Sequence, residues 1–177
     1  MPKAILRSST VNLPPLEFRA EVRPGSIDEE KRTVEVVWST GARVLRGYYN
    51  RYYEELSLDR EHVRLDRLNN GAPFLNSHQG WTLDTVMGVV VDADVDGQRG
   101  TATVRFAKAE DDEEADRVFR KIADGIVRNV SVGYHVHRFE QVEGGDEEIP
   151  VYRATDWEPF EISAVSMGAD DGAGFRA

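Results

Sequence analysis

A hairpin signal near the middle of the chain constrains the fold more than any other feature. Two segments rich in β-branched residues, Val86 to Val95 and Thr101 to Ala107, flank the dipeptide Asp96-Gly97. An Asp-Gly pair between two such segments is typical of a tight antiparallel turn, because glycine accepts the positive φ that the turn requires. We therefore expect antiparallel β-structure at the centre of the domain.

The rest of the pattern adds further strands and two helices. An apolar stripe predicts a helix from about Glu113 to Asp124 that ends at Gly125. Asp59 is a candidate N-cap for a shorter helix from Arg60 to Leu68. Strand patterns cover Leu16 to Ala20, Arg32 to Ser39, Ile126 to Phe139, Val151 to Ala154 and Phe160 to Val165. The sequence thus predicts an α+β fold, a mostly antiparallel β-barrel of about six to eight strands with two or more helices.

The composition allows one well-packed domain and restricts its chemistry. The chain has 177 residues, of which 40% are hydrophobic and 31% charged, which suits a single domain. It has no cysteine, so disulfides, thiolate catalysis and cysteine-ligated zinc are excluded. We expect a flexible N-terminal arm over residues 1–15, a central domain over 16–167, and a C-terminal tail or linker over 168–177.

The charge balance argues against a nucleic-acid partner. The formal net charge is −10 and the pI is near 4.9, whereas binding to a phosphate backbone needs a basic face. A local group of arginines is better explained by a solvated helix face; it comprises Arg43, Arg46, Arg51, Arg60, Arg64 and Arg67. We see no signal peptide and no apolar segment near the ~20 residues of a membrane span. We therefore expect a soluble cytoplasmic protein with no membrane partner.

A serine within a strand pattern is the leading candidate for a reactive group. Side chains alternate along this strand, so Ser131 and Gly133 share one face while Val130 and Val132 share the other. The glycine removes a side chain beside the hydroxyl, where a substrate backbone could approach. The alternative is that Ser131 is a small polar filler bonded to the backbone.

Two other segments carry a possible base and a possible acid. His78 follows the polar pair Asn76-Ser77, and an imidazole with an ordinary pKa of about 6.5 can take a proton near neutral pH. Glu161 interrupts an apolar strand, where an inward carboxylate needs a partner such as a histidine ring N–H. Asp156 is the competing carboxylate. A hydroxyl, a base and an orienting acid together make a nucleophile system.

Two further histidines permit a different reading. His135 and His137 project from the same face of one strand and could hold a metal ion. No third ligand is evident in the sequence, so we predict neither a metal nor a cofactor. His135 could instead act as a second imidazole beside Ser131.

Taken in order, these segments resemble the tailed-phage prohead protease family over most of the chain. The resemblance rests on Asn76-Ser77-His78, Met87-Gly88-Val89-Val90, Asp124-Gly125-Ile126, Ser131-Val132-Gly133-Tyr134, Glu161-Ile162-Ser163-Ala164-Val165 and Ala169-Asp170. One departure is Gly168, where the family often has proline. Two other segments resemble the branch in which the protease is fused to the major capsid protein: Gly71-Ala72-Pro73 and Thr155-Asp156-Trp157-Glu158-Pro159.

The resemblance implies a serine peptidase whose fold is like that of the herpesvirus assemblins. It implies Ser131 as the nucleophile, His78 as the general base and Glu161 as the acid that orients His78. In assemblins the third member is a second histidine, so Asp156 and His135 stay open as alternatives for that place.

The resemblance also implies a biological setting. The substrates would be scaffold protein, or the scaffold segment of the major capsid protein, and the protease itself, cleaved within the procapsid in the host cytoplasm. A homo-oligomer is possible, and the natural chain would continue past Ala177 into capsid protein. Other classes remain open, namely a non-catalytic procapsid assembly or scaffold module, or a β-domain that binds peptides by strand addition.

Overall fold

The structure is a computed structural model that describes residues 26–142, 149–170 and 172–175. The expected arm at 1–15, the expected strand from Leu16 to Ala20 and the loop at 143–148 lie outside the described residues. Within the described ranges the helices are α1 (Asp66–Asn69) and α2 (Glu113–Ala123), with a 3₁₀ turn at Leu83–Thr85. The strands are β1 (Ile27–Asp28), β2 (Thr33–Ser39), β3 (Val44–Arg46), β4 (Tyr52–Leu56), β5 (Pro73–Asn76), β6 (Val86–Val95), β7 (Gly100–Phe106), β8 (Asn129–Gln141), β9 (Val151–Val165) and β10 (Gly174–Phe175).

Seven of these strands close into a barrel, in the order β9, β5, β6, β7, β2, β10, β8 and back to β9. Neighbours are antiparallel except β5 and β9, which are parallel. Outside the barrel, β4 runs parallel to the first part of β9 and carries β3 on its other edge. The α+β barrel predicted from the sequence is confirmed. No helix in the described ranges is long and apolar enough to cross a membrane.

The central hairpin forms where the turn signal predicts it. β6 and β7 pair antiparallel, and Gly97 takes a φ of +87° between them. The Asp96 carboxylate accepts hydrogen bonds from the backbone N–H groups of Gln98 at 2.8 Å and Arg99 at 2.7 Å. These bonds favour the ionised carboxylate and lower the pKa of Asp96. The turn chemistry is therefore local, which is why sequence alone identifies it.

The barrel interior is filled by large apolar side chains. Trp38 and Trp157 are both almost fully buried and meet edge to face, with ring centroids 5.9 Å apart. Phe106 lies 5.1 Å from Phe74 and 5.2 Å from Phe119 of α2, again measured between ring centroids. Phe119 thus joins the helix to the barrel core, since aromatic pairs in such arrangements add to the effect of apolar burial.

The ends of α2 explain why this helix was predictable. Asp112 caps its first turn by accepting from the backbone N–H groups of Glu114 at 3.0 Å and Ala115 at 2.9 Å. Acidic residues occupy the first turn and basic residues the last, as the helix dipole favours. Gly125 follows with a φ of +68°, a conformation that glycine adopts without strain.

Two predicted elements differ from the structure. The predicted helix from Arg60 to Leu68 is reduced to the single turn of α1, because the backbone of residues 62–64 pairs with Trp157 instead. The Trp157 N–H donates to the His62 carbonyl at 3.0 Å, and the Arg64 N–H donates to the Trp157 carbonyl at 2.9 Å. The segments Val151 to Ala154 and Phe160 to Val165 form one continuous strand rather than two, because β8 pairs with this strand from Tyr152 to Val165.

The C-terminal part of the described chain also contributes to the barrel. β10 pairs with β2 and with β8, and Gly174 is the register partner of both Val37 and Asn129. The expectation of a tail or linker over 168–177 did not include this strand. A two-residue strand has no periodicity to read, so only its long-range pairing defines it.

Candidate active site

β9 is the strand on which the candidate site is assembled. Its C-terminal half lies between β5 and β8. On the β5 side Asn76 is the register partner of Ala164, and on the β8 side Ser131 is the partner of Ser163. Gly133 is likewise the partner of Glu161. Directly opposed residues of an antiparallel pair project to the same face, so Ser131, Ser163 and Glu161 share one face.

That face is the outer one. Val130 and Ile162 alternate with these residues along the two strands, and both are fully buried in the barrel core. Ser131 and Gly133 are only half-buried. The alternation expected from the sequence therefore separates the two functions of these strands, with packing on the inside and the polar candidates on the outside.

His78 is held over β9 by an unusual backbone conformation just beyond the end of β5. Ser77 and His78 both have positive φ, at 52° and 60°, which costs roughly 1–3 kcal/mol for each non-glycine residue. Two hydrogen bonds to β9 hold this conformation. The Ser77 N–H donates to the Ala164 carbonyl at 2.9 Å, and the His78 N–H donates to Ser163 Oγ at 3.0 Å. Strain of this kind clusters at functional sites.

The His78 ring contacts Glu161 directly. The distance from Nδ1 to Glu161 Oε1 is 2.6 Å, and the Glu161 side chain is only 5% exposed whereas that of His78 is 42% exposed. An ionised carboxylate can only accept hydrogen bonds, so Nδ1 carries the proton in this contact. In the neutral imidazole, Nε2 is then left with its lone pair, the state that a general base requires.

Ser163 completes the support of this pair and was not assigned a role from the sequence. It is fully buried, its hydroxyl donates to Glu161 Oε2 at 2.7 Å, and the same oxygen accepts from the His78 N–H. Ser163 therefore fixes both the carboxylate and the backbone of the histidine. The available signal was its spacing, because two residues along a strand place Ser163 on the same face as Glu161.

Ser131 lies on the same outer face as the His78–Glu161 pair. Its hydroxyl has no hydrogen-bond partner within the described ranges, so the contact between Ser131 and His78 is not closed in this structure. Catalytic hydrogen bonds are commonly long or open before substrate binds and tighten in the complex. The free hydroxyl of Ser131 contrasts with that of Ser163, which is bonded on both sides.

The alternative acid and the other histidines are engaged elsewhere. Asp156 forms a bidentate pair with Arg64, with both N–O distances 2.7 Å, and this hydrogen bonding lowers the pKa of Asp156. The His135 ring packs on Phe160, with centroids 4.6 Å apart. His137 Nε2 lies 3.7 Å from Glu158 Oε2. Across the part of the chain that the structure describes, no group of three or more potential metal ligands is found.

A contact between a serine hydroxyl and a histidine ring lies in the turn before α1. Ser57 Oγ is 2.8 Å from Nδ1 of His62. No carboxylate among the described residues bonds to the other ring nitrogen of His62, so this contact lacks the acid that the His78 site has. We interpret it as part of the turn that also presents the His62 carbonyl to Trp157.

The arginine group noted in the sequence is largely paired with carboxylates. Because residues 60–65 are not helical, the expected helix face does not form. Four of these arginines instead make ion pairs, which are Arg43 with Glu55, Arg46 with Glu54, Arg60 with Asp94 and Arg64 with Asp156.

Comparison with known proteins gives a family match and relatives among phage capsid proteins. Residues 27–176 match the model of the caudovirus prohead serine protease family. The chain is 39% identical over 109 residues to a major capsid protein of Halomonas phage phiHAP-1, an alignment that covers 61% of this chain and 17% of that protein. It is 30% identical over 102 residues to a capsid polyprotein of Pseudomonas phage PAJU2, covering 55% of this chain and 14% of that protein. No solved structure gives a significant match.

Proposed function

The chain belongs to the caudovirus prohead serine protease family, and from this premise we propose that it is a serine endopeptidase that acts through Ser131, His78 and Glu161. The observation that carries the assignment of residues is the 2.6 Å contact between His78 Nδ1 and Glu161, on the same outer face as Ser131. The family is one of serine peptidases, and in such enzymes the nucleophile, base and orienting acid are recognised by their mutual geometry rather than by their order in the chain.

In the proposed reaction His78 acts first as a base and then as an acid. Nε2 takes the proton from the Ser131 hydroxyl while Oγ attacks the scissile carbonyl, which gives a tetrahedral oxyanion. Collapse of that intermediate breaks the C–N bond, and His78 gives its proton to the leaving amine. Water, activated by the same nitrogen, then hydrolyses the acyl-enzyme and restores the Ser131 hydroxyl. Glu161 stabilises the imidazolium that forms in each half of the cycle.

Ser131 is a better nucleophile candidate than the two other serines near His78. Ser163 is fully buried and its hydroxyl already bonds to Glu161, so neither a substrate nor His78 Nε2 has access to it. Ser77 donates its hydroxyl proton to Asn76 Oδ1 at 3.0 Å. Of these three serines, only Ser131 combines a free hydroxyl with the face that carries the acid.

We further propose that the substrates are capsid-protein precursors. The relatives named above are a major capsid protein and a capsid polyprotein, and the chain spans less than a fifth of each. A protease segment joined to a capsid protein would reach its substrate in the same polypeptide or in neighbouring subunits, where local concentration is high. Scaffold segments, self-cleavage and action within the procapsid in the host cytoplasm are part of this proposal.

Active-site labelling tests the proposal directly. The protein is treated with a fluorophosphonate probe that modifies activated serines, and the labelled residue is identified by mass spectrometry, alongside the Ser131→Ala variant and gel analysis of self-cleavage. We expect one labelled residue, Ser131, and loss of both labelling and cleavage in the variant. Ser57→Ala is the matched control, because the Ser57 hydroxyl contacts the ring of His62 without an acid behind it and should be dispensable.

Two results would count against this function. Cleavage that persists in Ser131→Ala would assign the chemistry to another residue. An unlabelled and uncleaved wild-type protein that still binds capsid-protein segments would instead favour a non-catalytic assembly module or a peptide-binding β-domain.

A further inference from the structure

A groove of about 700 Å³ opens beside the proposed active site, between α2 and the adjacent ends of β5, β8 and β9. It reaches the site at Ser77, which precedes His78, and at Asn129, which lies two residues before Ser131 on β8. A strand rises ~3.3 Å per residue, so the groove begins roughly 7 Å along the strand from the proposed nucleophile. Its position is that of a cleft for the substrate chain on one side of the scissile bond.

The charges that line this groove are mostly positive. Arg117 and Lys121 project from α2 one turn apart, and Arg128 lines the groove from the segment that enters β8. The one carboxylate in the lining is Glu114, which accepts a hydrogen bond from Asn76 Nδ2 at 3.0 Å. The groove is therefore locally cationic, although the chain as a whole has a formal net charge of −10.

Arg117 and Lys121 are exposed and have no ion-pair partner among the residues that the structure describes. Arg120 on the same helix behaves differently, because its Nε lies 3.0 Å from Asp116, which in turn lies 2.9 Å from Arg32. The cations of α2 therefore divide into a paired one outside the groove and two unpaired ones inside it. Like charges four residues apart on a helix repel, and an anionic occupant would relieve that repulsion.

The groove also has an apolar component that suits a polypeptide. Val118 is part of its lining, and Ile126 at its edge is 69% exposed. An extended peptide presents side chains and backbone together and can use both the apolar and the cationic surfaces. A phosphate backbone would use the cations alone, and the acidic remainder of the protein would repel it.

We propose that this groove binds acidic segments of the substrate, so that the enzyme prefers aspartate or glutamate about two to four residues from the scissile bond. Arg117 and Lys121 are the residues that determine this preference. The inference rests on the proposed peptidase function, because it names the class of substrate for that site. The expected mode is electrostatic selection at an exposed surface, which acts on substrate binding more than on the chemical step.

A peptide series tests the preference. Substrates carry the self-cleavage junction with glutamate, alanine or lysine at the second to fourth positions on either side of the bond. We expect kcat/KM to be about tenfold or more higher for glutamate than for lysine at one set of these positions, mainly through KM. Arg117→Glu/Lys121→Glu should reverse the preference, whereas the matched control Arg120→Glu should keep it. Thermal melting of each variant establishes that the fold is retained.

A binding measurement separates failure of this inference from failure of the proposed function. Ser131→Ala protein is titrated into two fluorescein-labelled octapeptides, which alternate alanine with glutamate or alanine with lysine, and anisotropy is followed. We expect selective binding of the glutamate peptide, which should be lost in Arg117→Glu/Lys121→Glu and weakened by salt. This result would support the groove as a binding site for acidic segments even if the wild-type protein cleaves nothing. Cleavage without charge preference, or equal binding of both peptides, overturns it. Stronger competition by single-stranded DNA than by unlabelled glutamate peptide would assign the groove to nucleic acid and overturn it as well.

Discussion

The Glu161 carboxylate lies in the space that a side chain at residue 133 would occupy. A Cβ built on Gly133 would be 2.2 Å from Glu161 Oε1 and 2.9 Å from its Cδ, and real Cβ atoms do not approach other atoms so closely. Gly133 is also the register partner of Glu161 on the neighbouring strand. The glycine therefore allows the carboxylate to lie across β8 while it contacts His78.

This relationship predicts that Gly133→Ala reduces peptidase activity strongly. The added methyl group must displace the carboxylate, and a displacement of about 1 Å in an active site can cost roughly a hundredfold in rate. We expect a loss of that order in kcat, measured on a fluorogenic peptide. Gly80→Ala is the matched control, because its added Cβ would meet only Leu75 Cδ1 at an ordinary 3.5 Å. Equal activity of the two variants would contradict a catalytic role for the carboxylate.

Glu161→Gln should lower kcat by about 10³–10⁴-fold, with little change in KM. Glutamine fits the same space, but its amide N–H can donate to His78 Nδ1. That bond stabilises the tautomer in which Nε2 carries the proton and cannot act as a base. Steady-state kinetics measure the loss. Glu158→Gln is the control, since Glu158 contacts His137 rather than His78, and a comparable loss there would argue that the effect is not specific to the acid.

Ser163→Ala should impair both stability and catalysis. The change removes the donor to Glu161 Oε2 and the acceptor of the His78 N–H, and it leaves buried polar groups without partners at a cost of about 1–3 kcal/mol. We expect a lower denaturant midpoint together with a fall in kcat, because both catalytic groups lose a support. Ser163→Thr, which keeps the hydroxyl, should recover part of the activity. Unchanged kinetics in Ser163→Ala would show that the two bonds do not position the site.

From the environment of the Tyr134 hydroxyl we predict that the free energy of unfolding depends on pH in the alkaline range. Its hydroxyl donates to Glu54 and accepts from Arg46 Nη2 at 2.8 Å. Burial, followed by the adjacent Glu54 carboxylate, raises the pKa of Tyr134 from 10.0 to about 12. The folded state thus holds this proton more tightly than the unfolded state, and the stabilisation is complete below pH 10 and is lost as the pH rises towards 12.

Melting temperatures of the wild-type protein and of Tyr134→Phe, compared at several values of pH, check this prediction. The wild-type protein should lose more stability than the variant between pH 10 and 12, because phenylalanine has no proton to lose. Spectrophotometric titration of the tyrosines should show one group that ionises late. Parallel melting curves over that range would contradict the prediction.

The elements that the sequence predicted well are those that depend on neighbouring residues. The hairpin at Asp96-Gly97 and the helix α2 are specified by a turn pair, a cap and an apolar stripe, all within a few residues of each other. The single strand β9 was missed because it depends on pairing with β8 over its length. The short helix α1 was missed because residues 62–64 pair with Trp157 instead of continuing a helix. That pairing joins segments more than ninety residues apart and has no local signal.

The candidate site likewise has features that the sequence indicates locally and features that depend on long-range strand pairing. Alternation along β8 places Ser131 and Gly133 on one face, and this could be read from the sequence. The sequence pattern indicated Glu161 as an inward carboxylate, and its place on the same outer face as Ser131 depends on the register between β8 and β9. The positive φ of Ser77 and His78 and the bridging hydroxyl of Ser163 could not be read from the sequence, since each depends on how β5 and β9 lie side by side. Whether His78 and Ser131 close into one hydrogen-bonded chain with substrate stays a prediction.

The candidate catalytic residues lie on the outer face of a barrel whose interior is filled by side chains. Folding therefore depends on the inner face of β8 and β9, and the proposed reaction depends on their outer face. Around the site, Val130, Ile162 and Ala164 pack in the apolar core, whereas Ser131, Glu161 and Ser163 lie on the outer face. With this arrangement, residues on the outer face can be substituted without repacking the core. The arrangement also requires that any polypeptide to be cut approach from the flank of the barrel, since the lumen has no room to admit it.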